Sequence, residues 1–521
     1  MSKKDNKFYI TTPIFYVNAN PHIGHTYTTI AADILARYHR MAGDKTFFLT
    51  GTDEHGAKIE EKAREAGMDP QKFADEVSAS FSLAWDTLNI SNDGFIRTTD
   101  ERHKKAVQNA LQYMYDKGDI YKGEYEGLYC RGCEQFKAEN DLVDGLCPDH
   151  KTAPETMSEE CYMFKMSQYQ DELVKKIESD EYRILPAERK NEILSFLKEK
   201  LQDVSFSRKN VKWGIPLPWD GTHTTYVWAD AFLNYLTGLG WEGQIPLTPF
   251  SKGGDNLDMW PADLHLMSKD ILRVHATIWP AMLLSLGLPL PKTLFIHGFF
   301  LVDGQKMSKS LGNVIAPEDL VKKYGVDATR YLLASATSFG QDGDIGWTKF
   351  DEKFNADLAN GLGNLVSRSL TLVGKMKEAG MDIEKKGEVE TFDGIEFNHA
   401  IAEKWEKYQE YIAQFRIDLS LKIIEEQIRF LDGYITATKP WALIKNNDER
   451  VGAVMYNVLE RLRHISWMIL PFMPETAEKI WAGLGLDSQE EMKKELKEVV
   501  EWGGLSVDAD IKKPEPLFPR I

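Results

Sequence analysis

Two histidines near the amino terminus are three residues apart and follow a strand-like run. His22 and His25 lie in YVNANPHIGHTY, directly after the β-rich segment FYITTPIFYV. Asn20 could cap a helix that Pro21 opens, and both imidazoles would then lie on one face of its first turn. A helix N-terminus at a strand's carboxyl end binds phosphate, and imidazole donates to an oxyanion. The pair therefore indicates a phosphate site, although two histidines bonded to nearby backbone are the ordinary alternative.

A second cationic motif, KMSKS, occurs far downstream between DGQ and LGN. It holds Lys306 and Lys309, three residues apart, with two hydroxyl side chains and flanking glycines. A mobile loop of this kind closes over a polyphosphate leaving group, with lysine acting as a point charge. The ordinary alternative is an exposed turn. The chain has no G-x4-G-K-[ST] pattern, which argues against a P-loop nucleotide site.

The cysteines indicate a metal site. Cys130 and Cys133 form one C-x2-C pair, and Cys147 with His150 forms a C-x2-H pair. Two such pairs fit a tetrahedral, structural Zn²⁺ site, whereas free buried cysteines explain the spacing poorly. Cys161 leaves the fourth ligand open, because an all-cysteine site is also possible. Clustered cysteines in a reducing compartment favour metal over disulfides.

Composition limits the classes of protein further. The 521 residues predict several domains, and 43% hydrophobic with 27% charged residues is typical of a soluble globular chain. No apolar run has the ~20 residues of a membrane span, and the start MSKKDNKFYIT lacks a signal peptide's apolar core. We therefore expect a cytoplasmic protein with no membrane partner. The net charge of −17 argues mildly against nucleic acid, without excluding a local basic face.

The elements that position these motifs alternate between strand and helix at first. Strands FYITTPIFYV and TFFLTG, each followed by a helical pattern, predict a parallel α/β sheet. A cysteine-bearing segment interrupts this pattern, which resumes at Tyr226, and long amphipathic patterns from about Phe354 predict an α-helical bundle. The predicted domains are a first catalytic half (1–117), an insertion (118–225), a second catalytic half (226–300), a junction (301–353) and the helical bundle (354–521).

PHIGH and KMSKS in this order resemble the two signatures of class I aminoacyl-tRNA synthetases. Further segments are similar to the methionyl-tRNA synthetase family: TTPIFYVNANPHIGHTYT, FLTGTDEHG, FIRTT, YVWADAFLNYL, HATIWPAMLL, FIHGFFLVDGQKMSKSLGN and the ending PLFPRI. The resemblance covers nearly the whole chain. It implies a Rossmann-type parallel sheet split by a zinc-binding insertion, then a junction with the lysine loop and a helical anticodon-binding domain. It also weakens the charge objection, because the family's tRNA contacts are local.

The resemblance implies a two-step ligase reaction. The carboxylate of L-methionine attacks the α-phosphate of ATP, releasing pyrophosphate, and the methionyl group then passes to the 3′ end of tRNA(Met). His22 and His25 would stabilise phosphate charge, and Lys306 and Lys309 would hold the β- and γ-phosphates. The implied ATP-binding positions are Gly24, His297, Gly298, Ser308 and Lys309. Mg²⁺ is expected with ATP, without an assigned protein ligand.

The methionine site is also implied by the resemblance. Its positions are Ile14, Tyr16, Asp53, Trp228, Ala231, Tyr235, His275 and Trp279. Asp53 would pair with the substrate ammonium, or cap the following helix, or both. Aromatic edges suit a thioether, although plain core packing is the better reading of any one aromatic. Val274 departs from the phenylalanine common in relatives and leaves that wall of the pocket uncertain.

The remaining implications concern zinc, tRNA and oligomeric state. The resemblance favours His150 over Cys161 as the fourth ligand of one structural Zn²⁺ per chain. Asn364, Arg368 and Trp441 match positions that read the anticodon, with bundle packing as the alternative for Trp441. Because the chain stops at PLFPRI, before the C-terminal domain through which many relatives dimerise, we expect a monomer.

Two other functions compete with this one. A class I ligase for cysteine would use zinc beside its substrate, and the ligases for branched amino acids carry an editing domain longer than 118–225. An inactive tRNA-binding or assembly protein should lose signature residues, yet both signatures are intact.

Overall fold

A computed structural model describes most of the chain. The described residues are 6–132, 135–137, 142–148, 150–244, 256–302, 304–306, 314–385, 391–392 and 395–521. Among them, none of the helices combines the length and the hydropathy that crossing a bilayer requires.

The elements follow one another in four groups. The first comprises β1 (Lys7–Thr11), β2 (Phe15–Tyr16), α1 (Ile23–Met41), β3 (Lys45–Asp53), α2 (Ala57–Glu65), α3 (Pro70–Thr87), β4 (Gly94–Arg97) and α4 (Glu101–Asp116). The second comprises β5 (Ile120–Cys130), β6 (Gln135–Lys137), β7 (Glu155–Phe164), α5 (Gln170–Glu178), β8 (Arg183–Leu185), α6 (Ala187–Phe196), β9 (Val204–Ser205), β10 (Ser207–Arg208) and β11 (Thr224–Thr225).

The third group comprises α7 (Val227–Ala231), α8 (Asn234–Thr237), β12 (Leu264–Ser268), α9 (Leu272–Ala276), α10 (Ile278–Leu286), β13 (Thr293–His297), β14 (Phe300–Val302), β15 (Gln305–Lys306), α11 (Pro317–Tyr324), α12 (Val326–Ala334) and β16 (Gly343–Ile345). The fourth comprises α13 (Trp347–Lys353), a π-helix (Phe354–Gly363), α14 (Asn364–Glu378), β17 (Thr391–Phe392), β18 (Ile395–Glu396), α15 (Phe397–Ala413), α16 (Ile417–Thr438), α17 (Pro440–Lys445), α18 (Arg450–Ile469), α19 (Pro474–Gly483), α20 (Ser488–Glu491) and α21 (Leu496–Val499).

The main sheet is parallel and draws on two distant parts of the chain. Its strand order is β2-β3-β1-β12-β13-β8, and β4 also pairs with β3. Ile10 pairs with Leu264, so strands that are some 250 residues apart in sequence meet at the centre of the sheet. Their residues form near-continuous apolar runs because helices cover both faces of such a sheet. The predicted parallel α/β sheet and helical carboxyl-terminal part are confirmed.

The segment predicted as an insertion contributes to three sheets, one of which is the small antiparallel pair β10-β11. It forms an antiparallel sheet in the order β6-β5-β7-β9. It also supplies β8, whose Ile184 pairs in parallel with Leu294 at the edge of the main sheet. The sequence prediction did not include this edge strand, because a three-residue strand gives too short a pattern to recognise.

Helix α1 links the main sheet to the helical bundle. Ile23, Ile30, Ile34 and Leu35 are buried on this helix. They belong to one apolar cluster that includes Phe48 of the sheet and continues into the bundle helices. The helix that starts at the paired histidines is therefore held by both halves of the molecule.

Candidate active site

A cavity of about 370 Å³ opens where the strands of the main sheet end. This is the edge at which open parallel sheets bind ligands. Most of the predicted small-molecule contacts share its lining: Ile14, Tyr16, His22, Gly24, His25, Asp53, Trp228, Ala231, Tyr235, His275, His297 and Gly298. The predicted phosphate site and the predicted methionine slot are thus two parts of one cavity.

His22 is the N-cap residue of α1. Its Nδ1 accepts a hydrogen bond from the Gly24 amide (3.1 Å), and its own amide donates to Nδ1 of His25 (3.3 Å). The prediction that Asn20 caps the helix with Pro21 at its first position is wrong, because the helix starts at Ile23. An imidazole nitrogen here does what an asparagine oxygen does in the usual cap.

The capping bonds also fix the tautomers of the two histidines. Each Nδ1 accepts a backbone proton, so in the neutral form of each ring the proton lies on Nε2. The rings stack with their centroids 3.8 Å apart. Burial, and then repulsion from His22, lowers the pKa of His25 well below its usual value. His25 is therefore a neutral Nε2–H donor at physiological pH, suited to a phosphate oxygen.

His297 lies at the end of β13, against the same helix. Its Nδ1 donates to the Gly298 carbonyl (2.7 Å), and its Nε2 accepts from the Thr28 hydroxyl (2.7 Å). Burial lowers its pKa to about 4, which keeps the ring neutral. A Cβ on Gly298 would lie 2.4 Å from the Asp342 backbone nitrogen, so only glycine fits there. This close packing fixes the backbone that forms the floor of the cavity.

Two neighbouring carboxylates have different roles at the end of β3. Glu54 is fully buried and accepts two hydrogen bonds from the Arg97 guanidinium (2.7 and 2.8 Å). Asp53 instead lines the cavity. Helix α2 has Gly56 as its N-cap and no side-chain capping bond, so Asp53 does not cap it. Asp53 therefore places its charge at the cavity, as the ammonium-binding interpretation requires.

A series of hydrogen-bonded polar groups lies in the otherwise apolar part of the cavity. The Tyr235 hydroxyl donates to Nε2 of His275 (2.8 Å), whose Nδ1 donates to the Ile271 carbonyl (2.9 Å). Burial lowers the pKa of His275 to about 4 and raises that of Tyr235. Both groups are therefore neutral, and the hydrogen bonds run in one direction, from Tyr235 to His275 and from His275 to the Ile271 carbonyl.

Trp279 lies behind this wall and does not line the cavity. It is fully buried, and its Nε1–H donates to Nε2 of His265 (3.3 Å), whose Nδ1 bonds the Thr11 hydroxyl (2.7 Å). The Tyr235 ring packs over His265 with centroids 4.2 Å apart. In this structure Trp279 supports Tyr235 from behind.

Several cavity residues were missed by the sequence analysis. Lys58 in the first turn of α2 has its Nζ 5.9 Å from the Tyr16 ring centroid and 3.4 Å from the Gly132 carbonyl oxygen. Asp270, Tyr27 and Phe300 also line the cavity. Lys58 lies five residues after the end of β3 and Asp270 two residues after the end of β12, and this nearness to strand ends was the available signal.

The lysine loop falls largely outside the described residues. Ser308 and Lys309 lie there, and for Lys306 only the backbone is described, pairing with Leu301 in a short hairpin. Their predicted phosphate contacts remain predictions.

The sequence matches known proteins along nearly its full length. The model of the family described as tRNA synthetases class I (M) matches residues 8–153 and 149–370, and that of the anticodon-binding domain of tRNA ligase matches residues 396–503. The chain is 46% identical to methionine–tRNA ligase from Clostridium acetobutylicum, covering 100% of this chain and 79% of that protein. It is 40% identical to the Streptomyces coelicolor ligase, covering 99% and 96%.

The chain belongs to the methionyl-tRNA synthetase family.

A solved member of the family has the same fold. The methionyl-tRNA synthetase of Mycobacterium tuberculosis in complex with methionyl-adenylate superposes with a TM-score of 0.90 at 36% identity, covering 99% of this chain and all of that one. The free form of the same enzyme gives 0.83 at 33% identity, covering 100% and 99%. This likeness extends over the sheet, the insertion and the bundle.

A group of residues that could hold a metal ion lies in the segment predicted as an insertion. The ligand atoms of Cys130, Cys147 and His150 are all within 4.8 Å of one another, and Sγ of Cys147 is 3.8 Å from Nδ1 of His150. Cys133 lies outside the described residues. A Cβ on Gly132 would lie 2.4 Å from the His150 ring, so glycine lets the two turns close on each other.

Cys161 is far from this group. It pairs with Gly123 on β5, seven residues before Cys130, which corresponds to about 23 Å along the strand. Its Sγ contacts Sδ of Met163 (3.4 Å). Its position fits the bystander expected from the resemblance.

The predicted anticodon residues lie close together on the bundle. Asn364 and Arg368 are one turn apart at the start of α14, and the Arg368 guanidinium lies 5.0 Å from the Trp441 ring centroid. Trp441 is 44% exposed, so it is not packed inside the bundle. Arg368 also donates to Asp432 (3.1 Å). The surface therefore offers an aromatic face next to a cation, which suits an unstacked base.

Proposed function

We propose that the chain is a methionine–tRNA ligase in which His22 and His25 stabilise the α-phosphate of ATP under attack by the methionine carboxylate. A bond forms between a carboxylate oxygen and the α-phosphorus, and the bond to pyrophosphate breaks. The observation that carries this proposal is the single cavity that joins the two stacked histidines to Asp53, Tyr235 and His275. Family membership supports the same reaction.

The histidines act as fixed donors. The first step needs positioned charge stabilisation and no side-chain nucleophile. Because the capping bonds hold each Nδ1, the Nε2 protons are aimed without reorganisation when phosphate charge develops. The helix N-terminus adds its own positive end. Gly24 leaves the backbone open to the nucleotide, and His297 with Gly298 forms the adenosine side.

The substrate amino acid occupies the other half. Asp53 pairs with the ammonium group, and Ile14, Tyr16, Trp228 and Ala231 surround the side chain. The Tyr235–His275 pair supplies polar edges near the thioether sulfur. Trp279 keeps Tyr235 in place from behind.

The lysine loop supplies the missing cations. Lys306 and Lys309 hold the β- and γ-phosphates and Ser308 bonds the nucleotide when the loop closes. Mg²⁺ bound to ATP would neutralise phosphate charge; no residue of this chain is assigned to it.

A structural Zn²⁺ held by Cys130, Cys133, Cys147 and His150 completes the insertion. The donor set and the 3.8 Å between Cys147 and His150 ligand atoms fit a tetrahedral ion, for which bond lengths give roughly 3.5–3.8 Å. The ion would stabilise the turn that contains Gly132, whose carbonyl contacts Lys58 beside the cavity. It has no part in the chemical steps.

Asn364, Arg368 and Trp441 read the anticodon of tRNA(Met), and the bundle thereby orients the acceptor end toward the cavity. The protein works as a cytoplasmic monomer. The anticodon assignment is supported by the exposed Trp441–Arg368 surface and by the resemblance, whereas the cytoplasmic monomer is an expectation from the sequence alone.

ATP–pyrophosphate exchange with each of the twenty amino acids tests the proposal. Exchange with methionine alone is expected. Exchange only with another amino acid would refute the methionine assignment, and none with any amino acid would favour a tRNA-binding protein without catalysis. Light scattering at micromolar concentration checks the monomer.

A further inference from the structure

One buried arginine contacts three parts of the molecule. Arg330 on α12 is fully buried, and its Nη2 donates to Oδ2 of Asp33 on α1 (2.6 Å). Its Nε donates to the Phe472 carbonyl (2.9 Å) and its Nη2 to the Pro471 carbonyl (3.0 Å), at the end of α18. Nη1 reaches the Leu88 carbonyl after α3 (3.3 Å). A single guanidinium thus joins the histidine-bearing helix to the bundle.

The α1 side of this contact is fully hydrogen-bonded. Asp33, eight residues after His25, also accepts from Nε of Arg37 (2.7 Å) and from the amide and hydroxyl of Ser91 (2.7 and 2.5 Å). Burial alone would raise the pKa of Asp33, but the charges of Arg330 and Arg37 hold it below its usual value. Asp33 is therefore a carboxylate at neutral pH and forms an ion pair with Arg330.

The bundle side matches the charges of two helix ends. Arg330 binds two carbonyls of the turn that follows the carboxyl end of α18, where a helix carries partial negative charge. One turn earlier on α12, Oδ2 of Asp327 accepts from the Thr476 amide (2.6 Å) at the amino end of α19, which is partially positive. Helix α12 therefore holds the α18–α19 corner by an anion and a cation, each facing the end of opposite sign.

Helix α18 extends from this corner toward the anticodon surface. It has 20 residues, about 30 Å. At its other end a short turn joins it to α17, which carries Trp441. From α17, through α18 and the turn after it, to Arg330, Asp33 and α1, each element is therefore joined to the next by the chain or by hydrogen bonds.

We propose that Arg330 is a positioning residue for the tRNA-dependent step, which sets the bundle in register with the helix of His22 and His25. This inference rests on the proposed roles of those histidines and of the bundle. Helix α1 also packs on the main sheet through Ile30 and Ile34 without help from Arg330. Loss of the guanidinium should therefore spare amino-acid activation and impair delivery of the tRNA 3′ end to the cavity.

The test compares both half-reactions in Arg330→Gln and in a matched control. The control is Arg37→Gln. The Arg37 side chain also donates to Asp33, and its other hydrogen bonds go to Asn89, which lies outside the bundle. For Arg330→Gln we expect kcat of aminoacylation to fall at least about 10-fold. The rate of exchange without tRNA and KM for tRNA should stay within about twofold of the unmodified enzyme. In the control, kcat of aminoacylation, the exchange rate and KM for tRNA should all stay within about twofold.

Because a lone buried carboxylate destabilises a protein, the double variant Asp33→Asn/Arg330→Gln is the second arm. It removes both charges and keeps hydrogen-bonding groups, and its aminoacylation loss should equal that of Arg330→Gln. Intermediate activity of Arg330→Lys would support the same role. Three results would overturn the inference: unchanged aminoacylation, a parallel fall of both reactions with a lower thermal midpoint, or a change in KM for tRNA alone. Absence of exchange in the unmodified enzyme would instead contradict the proposed function.

Discussion

The hydrogen bond between Tyr235 and His275 makes methionine binding sensitive to the loss of one oxygen atom. In Tyr235→Phe the ring remains, but Nε2 of His275 loses its donor while Nδ1 still donates to Ile271. Both side chains are at least 98% buried, so solvent does not replace the bond. An orphaned buried acceptor costs about 1–3 kcal/mol.

This cost sets the size of the expected effect on catalysis. If methionine binds only while His275 keeps its orientation, kcat/KM for methionine in ATP–pyrophosphate exchange should fall about 5- to 150-fold, since 1.4 kcal/mol is a factor of ten. KM for ATP should stay unchanged, because the bond lies in the amino-acid half of the cavity. The assay is exchange at saturating ATP with methionine varied.

Tyr182→Phe is the matched control. Tyr182 is also fully buried, and its hydroxyl donates to the main-chain carbonyl of His275 (2.8 Å) instead of the ring. It should lose similar stability in urea but keep kcat/KM for methionine within about twofold. If Tyr235→Phe behaves like Tyr182→Phe, the Tyr235–His275 bond does not orient the methionine site.

Three further predictions concern the metal, the pH dependence and the anticodon surface. His150→Ala should lose bound zinc and Cys161→Ser should keep one equivalent by elemental analysis; the reverse would sink the ligand assignment. The free energy of unfolding should decrease by up to about 1.4 kcal/mol per pH unit per group between pH 6.5 and about 4, since burial lowers the pKa of His275, His297 and His464 to about 4. Trp441→Ala should raise KM for tRNA about 5- to 150-fold without changing exchange, because one stacked base is worth about 1–3 kcal/mol.

The predictions on pH dependence and on the anticodon surface each have a specific control. Below pH 6.5 the unfolded chain binds protons on these histidines and the native state does not, so the free energy of unfolding falls as the pH falls. Urea denaturation at pH 7.5 and at pH 5.0 should therefore show lower stability at pH 5.0. Equal stability would contradict neutral burial. Trp347→Ala removes another exposed tryptophan, 39% exposed on α13, and should leave KM for tRNA unchanged; an equal effect there would remove Trp441 from the anticodon surface.

Local patterns predicted the parts of the fold that repeat at short range. Alternating strand and helix signals predicted the parallel sheet, and the amphipathic patterns from about Phe354 predicted the helical carboxyl-terminal part. The start of α1 was wrong because Asn20 is the commoner cap, while His22 performs that role only through the geometry of His25 and Gly24. Such reciprocal capping by two imidazoles has no frequent sequence signature.

Contacts between distant residues could not be predicted from the sequence. Arg330 and Asp33 are 297 positions apart, and nothing near either residue indicates that they meet. The edge strand β8 and the support of Tyr235 by His265 also depend on the assembled sheet. Sequence motifs predicted candidate residues of the site. Only tertiary packing shows which of them line the cavity and which, like Trp279, lie behind its wall.

The most direct test of the central claim is the rate of methionyl-adenylate formation in a single turnover of His25→Asn. Asparagine keeps an acceptor for the His22 amide and removes the Nε2 donor aimed at the phosphate. We expect a fall of about 10²- to 10³-fold, typical for loss of one preorganised donor, while His39→Asn near the other end of α1 should retain the full rate. A rate for His25→Asn within about twofold of the unmodified enzyme would contradict the claim that this imidazole stabilises the transition state.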